Sequence, residues 1–185
     1  AIRLGNHRLD TFSMREWRKK CGVVMQDGFI FSDTVARNIA PGAERIDKEK
    51  LLHAASVANI REYIESLPLS YNTKIGQEGI GLSQGQKQRI LIARAVYKEP
   101  EIVFLDEATN ALDTNNEREI MQQLGHFLNG RTSVVVAHRL STVRNADQIV
   151  VIDNGNIVEQ GTHDELLKLQ GAYHRLVKNQ LELGV

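Results

Sequence analysis

Three short apolar runs in this chain each end on a polar group able to do chemistry. Val23-Val24 leads to Gln26, Ile102-Val103-Phe104-Leu105 to Asp106-Glu107, and Val134-Val135-Val136-Ala137 to His138. Runs this short and this rich in β-branched residues predict strands rather than helices. The run at 102–105 is apolar on both faces, which predicts a parallel sheet covered on both sides. In open parallel sheets, ligands gather beyond the carboxyl ends of the strands, where these polar groups stand.

Between the strands the sequence predicts helices. Residues 10–20 could form a short one, followed by a buried strand at 22–25. Asp33 or Thr34 can cap a helix, and Asp47 a second over 48–59, with Pro41-Gly42 between them. Pro68 and the glycines at 76, 79 and 81 mark an irregular connection. Ser83 then opens a helix that runs to Tyr97 and stops before Pro100; its stretch Ile90-Leu91-Ile92-Ala93 predicts a central position. A helix over 115–128 carries Ile120, Leu124, Phe127 and Leu128 at helical spacing and ends before Gly130. Asn154-Gly155 between two apolar stretches predicts a hairpin, and Thr162-His163-Asp164-Glu165 a capping box before one final helix. The order predicts an α/β core over residues 1–30 and 99–185, with a helical insert over 31–98.

Composition limits the alternatives. The 185 residues are 42% hydrophobic and 25% charged with a formal net charge of zero, which fits a globular domain and gives no reason to expect a nucleic-acid partner. The basic cluster within residues 15–20 is read as a solvated helix face. The single cysteine, Cys21, excludes an intrachain disulfide and is read as a small core residue. No apolar stretch approaches the roughly 18–20 residues that cross a bilayer.

The strand-end groups suit nucleotide hydrolysis. Asp106 can hold Mg²⁺, a cation that prefers oxygen ligands. Glu107 can orient an attacking water. His138 can donate to a γ-phosphate oxygen, and Gln26 can sense that phosphate through Mg²⁺ or water. Ser83 can cap a helix whose N-terminus offers free N–H groups and a positive dipole end, and Gly85 permits close backbone approach.

With these residues in place, the chain resembles the ATP-binding-cassette family along essentially its whole length. Leu82-Ser83-Gln84-Gly85-Gln86 is similar to the family signature, with Gln84 where a glycine is usual. Residues 102–106 resemble the Walker B strand, Glu107 the catalytic glutamate, and Ala111-Leu112-Asp113 the D-loop. His138 is similar to the switch histidine and Gln26 to the Q-loop glutamine. The resemblance implies a P-loop NTPase-like fold, ATP and Mg²⁺, and a head-to-tail pair of copies. In such a pair, Ser83, Gly85 and Gln86 serve the site of the second copy.

The segments Phe29-Ile30-Phe31-Ser32-Asp33-Thr34 and Ile75-Gly76-Gln77-Glu78-Gly79 resemble the exporter branch, and Leu82-Ser83-Gln84-Gly85-Gln86 with residues 106–113 resembles bacterial peptide or bacteriocin exporters, those with an N-terminal peptidase domain included. That implies a transmembrane-domain partner met by the Glu78 loop, at the cytoplasmic face of a membrane. The family's Gly-x-x-x-x-Gly-Lys-Ser/Thr phosphate loop does not occur in these residues. The expectation is therefore a partial nucleotide-binding domain that binds ATP weakly or not at all alone. Non-transport ATPases of the family carry long coiled-coil arms between the Q-loop and signature positions. Here that interval is under about 60 residues, without sustained heptads. A regulatory module that has lost its cradle is the other alternative, disfavoured by Glu107 and His138.

Overall fold

The computed structural model describes residues 1–108, 114–137 and 140–182, which fall into two compact units, 1–134 and 135–185. The first unit starts with an antiparallel pair, β1 (Arg3–Leu4) and β2 (His7–Arg8). Helix α1 is Met14–Lys20, shorter than the span predicted, because Ser13 takes the cap position and a 3-10 turn occupies Leu9–Thr11. Strand β3 (Cys21–Val24) follows. Then come β4 (Asp33–Thr34), α2 (Val35–Ile39), α3 (Lys48–Val57), α4 (Arg61–Ser66) and β5 (Lys74–Ile75), which pairs back on β4. Thr34 caps α2 and Asp47 caps α3. Helix α3 ends two residues earlier than predicted. Asn59 takes a left-handed φ of 48°, its N–H donating to Ser56 O and that of Ile60 to Ala55 O, which closes the helix in a Schellman arrangement.

Helix α5 (Gln84–Tyr97) is the centre of this unit. Gln88, Ile90, Leu91, Ile92, Ala93, Ala95 and Val96 are all buried, so the helix is enclosed as its sequence predicts. It lies against β3, α2 and α3. Strand β6 (Ile102–Asp106) runs parallel to β3, with Cys21 opposite Ile102 and Val24 opposite Leu105. Helix α6 (Thr114–Leu128) buries Ile120, Leu124 and Phe127, and β7 (Thr132–Val136) flanks β6 on the side away from β3.

The two faces of the sheet differ in burial. On the face covered by α5, Val24, Val103 and Leu105 are buried, and a Cβ on Gly22 would stand 3.5 Å from the Ala95 carbonyl oxygen. Val23 points the other way and is 49% exposed, as are Val134 at 47% and Val136 at 52%. In β6 itself Val103 and Leu105 are buried and Ile102 and Phe104 half-buried, so the strand that reads as apolar on both faces is exposed on neither.

In the second unit, α7 (Leu140–Val143) precedes a hairpin of β8 (Ile149–Asp153) and β9 (Asn156–Gly161). Its turn has positive φ at Asn154 (48°) and Gly155 (76°), the pairing that right-twisted strands require. The predicted final helix is two: α8 (His163–Leu169) and α9 (Ala172–Glu182). The break falls at Gln170, whose φ is 51°. Ile149, Val151, Leu166, Tyr173 and Val177 form this unit's own core.

Glu159 of β9 closes the break. Its carboxylate accepts from the Tyr173 N–H at 2.8 Å and the Ala172 N–H at 2.6 Å, capping α9 from outside the helix. The Tyr173 bond, with that of Ala172, holds this carboxyl below its ordinary pKa. A group depressed on folding stabilises above its unfolded pKa, about 4.3 for glutamate, and loses that effect as pH falls through the folded value. Urea midpoints measured against pH should therefore place Glu159→Gln below the wild type at neutral pH, with the gap closing in acid below about pH 4.

A second check is Gly76. Its φ is 98°, and a Cβ there would stand 2.9 Å from the Phe31 carbonyl oxygen. Gly76→Ala should lower unfolding free energy by more than about 1 kcal/mol in urea titration.

Candidate functional site at the carboxyl edge of the parallel strands

The parallel register of β3 and β6 decides the geometry of the site. Val24 stands opposite Leu105, so both strands finish at one edge. Asp106 is the last residue of β6, and Gln26 lies two residues past the end of β3, in an exposed turn. The fold thus delivers Gln26, Asp106 and Glu107 to a common edge, where the strand-end pattern predicts a ligand. His138 and Asp113 lie outside the described residues.

Asp106 and Glu107 are half-buried. Glu107 has a left-handed backbone with φ of 48°, uncommon for a residue with a side chain. The extended backbone of β6 ends at Asp106, one residue before it. Left-handed conformations of this type cost of order 1–3 kcal/mol and gather at functional sites. The apolar pattern gives no sign of it.

Ser83 and Gln86 form a reciprocal capping box at the start of α5. The Ser83 hydroxyl accepts from the Gln86 N–H at 3.2 Å, and the Gln86 side-chain oxygen accepts from the Ser83 N–H at 2.9 Å. The cap at Ser83 is the one its sequence predicts; the part of Gln86 is an addition that the spacing Ser-x-x-Gln signals. Gln84 is the first residue of the helix and is not among the residues with positive φ, so a side chain costs nothing at this position. The box leaves the amides of Gln84 and Gly85 in the first turn, where a helix supplies no acceptor of its own. Ser83 and Gln84 are exposed, while Gly85 and Gln86 are half-buried.

Glu78 is exposed in the loop after β5. That loop is held beside residues 31–33: Ile75 pairs with Asp33, and Gly76 lies under the Phe31 carbonyl. Cys21 is buried, and burial raises its thiol pKa, which keeps it protonated and inert.

Mg²⁺ can be tested against these residues. Among the described residues, no group of three or more His, Cys, Asp or Glu side chains converges as a closed metal cage. An oxygen from Asp106 and one from Gln26 at an open edge fit an ion that keeps most of its shell for water and phosphate.

Comparison with known proteins places this architecture. The family model described as ABC transporter matches residues 1–110, and the chain belongs to that family. It is 45% identical over 177 residues to an ATP-dependent lipid A-core flippase of Idiomarina loihiensis, an alignment covering 95% of this chain and 30% of the flippase. It is 42% identical over 184 residues to the heavy metal tolerance protein of Schizosaccharomyces pombe, covering 100% and 22% of the two chains. It is 45% identical over 183 residues to multidrug resistance protein 4 of Entamoeba histolytica, covering 97% and 14%. A solved bacterial Atm1-family ABC exporter with ATP bound superposes with a TM-score of 0.90 at 37% identity, over 96% of this chain and 31% of that one. The mixed α/β fold, parallel strands flanked by helices, matches the ATPase domain of that exporter. The chain spans less than a third of each of these proteins.

Ser83→Ala should remove the cap of α5. The expected cost is about 1 kcal/mol of unfolding free energy, read as a lower urea midpoint with an unchanged slope.

Proposed function

We propose that this chain is part of the ATP-hydrolysing motor of an ABC exporter, working with a second copy and a transmembrane domain. The observation that carries the reading is the common edge at which β3 and β6 finish, with Gln26 following one strand and Asp106 and Glu107 ending the other. The family match and the exporter relatives support it.

In this reading, Asp106 and Gln26 hold Mg²⁺ at the strand edge. When bound, that ion neutralises charge on the phosphate oxygens. Glu107, which follows the last residue of β6, orients water for in-line attack and takes its proton. His138 donates to a γ-phosphate oxygen as charge builds there. The α5 N-terminus faces the nucleotide of the second copy, with Ser83, Gln84, Gly85 and Gln86 placing donors and a positive dipole end toward phosphate. Asp113 contacts the second copy next to this shared site. Glu78, exposed beside residues 31–33, meets the transmembrane domain at the cytoplasmic face of the membrane. Residues 31–98 act as the helical part and residues 1–30 and 99–185 as the α/β part.

For the cargo, the names of the relatives favour lipids, drugs or heavy metals. The peptide and bacteriocin class suggested by the motif details has no counterpart among them. A DNA-repair or chromosome-organising ATPase is disfavoured by the compact interval between Gln26 and Ser83.

Two measurements test the reading. In the full-length protein, Glu107→Gln should abolish ATP turnover while nucleotide-bound dimers persist; wild-type turnover by this variant would refute the assignment of Glu107. The 185 residues alone supply no glycine-rich lysine loop for the β- and γ-phosphates. Calorimetric titration with Mg-ATP should therefore show no saturation in the micromolar range.

A further inference from the structure

One charged side chain ties the segment after Gln26 to the signature helix. Arg94 leaves α5 and donates from Nε to the Asn38 carbonyl at 2.8 Å, and from Nη1 to the Phe29 carbonyl at 2.9 Å. Nη2 donates to Asn38 Oδ1 at 3.3 Å, and the guanidinium stands 5.1 Å from the centre of the Phe31 ring. These acceptors are all amide oxygens of residues 29–38, and among the described residues no carboxylate pairs with Arg94. Partial burial lowers the guanidinium pKa from its ordinary value. A half-buried cation without an anion is held by geometry, and a planar fork of donors suits that task better than an ammonium.

Asn38, fully buried, extends the fork. Its Nδ2 donates to the carbonyls of Phe31, Asp33 and Thr34, and its Oδ1 accepts from the Phe31 N–H at 2.8 Å. The strand-end segment also rests directly on α5, since a Cβ on Gly28 would overlap the Leu91 side chain. Yet Phe29 and Phe31, stacked edge to face with centroids 5.3 Å apart, remain 64% and 44% exposed. The segment is thus fastened from beneath by polar bonds rather than by burying its aromatic rings.

We infer that Arg94 and Asn38 are positioning residues that lock the segment after Gln26 to α5, so that the Gln26 end of one nucleotide site and the Ser83 end of the other shift together. The inference rests on the ATPase reading above. By that reading, Gln26 serves the chain's own nucleotide and Ser83 that of the second copy. Phe29, three residues after Gln26, accepts from a guanidinium carried on the helix that Ser83 caps. Without the fork the two ends keep their own contacts but lose their fixed separation. Nucleotide binding is then retained, and turnover, which needs both ends aligned at once, falls.

The test uses the full-length exporter. Arg94→Lys keeps the charge but cannot reach three spread acceptors. Its kcat should fall about tenfold while KM for Mg-ATP stays within about twofold. Asn38→Asp, isosteric but stripped of the three Nδ2 donations, should give the same split and decides the matter if the lysine variant does not fold. Wild-type kcat in the folded Arg94→Lys or Asn38→Asp protein overturns the inference. So does a loss of apparent kcat that the folded fraction measured by thermal melting fully accounts for, because KM does not change with the amount of folded enzyme. Glu107→Gln in the same preparation separates the two claims. If it still turns over ATP, the ATPase reading fails; if it is dead while the fork variants run normally, only the fork fails.

Discussion

Enclosure of α5 is the constraint from which the first unit is built. The middle of that helix offers water almost nothing polar: Ile90, Leu91, Ile92, Ala93, Ala95 and Val96 are buried around it. Each fully buried large aliphatic side chain is worth roughly 1.5–3 kcal/mol relative to exposure, so uncovering Ile90, Leu91, Ile92 and Val96 would cost about as much as the whole stability of an ordinary domain. Strand β3 covers one side, and α2 and α3 cover others. The ends of the helix are then no longer free to move independently. Its N-terminus carries the Ser83–Gln86 box, and near its C-terminus Lys98 Nζ donates to the Cys21 carbonyl at 2.7 Å, tying it to β3.

A second network keeps the helices around α5 in register. Asn59, left-handed at the end of α3, accepts on its carbonyl from Arg89 of α5 at 2.9 Å, and its side-chain amide donates to Glu119 of α6 at 2.7 Å. The same residue that terminates α3 therefore links three helices. The arginine sits where a helix C-terminus favours positive charge. Polar bonds of this kind add little net stability each, but they select one packing among several that apolar contacts alone would allow.

Much of this was legible in the sequence, where local chemistry decides the outcome. Thr34, Asp47, Ser83 and Thr162 cap helices because a short oxygen-bearing side chain there satisfies an orphan amide. Asn154-Gly155 makes a hairpin turn because both positions need positive φ. The strand-end pattern brought Gln26 and Asp106 to one edge because parallel strands share their carboxyl ends. What stayed hidden depends on residues distant along the chain. Arg94 meets partners 56 and 65 positions away, and no spacing rule connects them. The exposure of Val23 and Val134 depends on which layers surround the sheet, and composition does not state that. The break at Gln170 was missed because the apolar spacing of 166–177 is continuous, whereas Glu159, brought in by the hairpin, supplies an external cap for a new helix.

The left-handed backbone at Glu107 also bears on how such a domain responds to selection. Glycine would adopt that φ without a steric penalty, so the backbone here takes a conformation that its side chain does not favour. A library of variants ranked only by heat resistance would drift toward glycine there and lose the carboxylate. Under the proposed function, thermostability and turnover oppose each other at this residue, and a search for hardier forms of the domain would hold position 107 fixed.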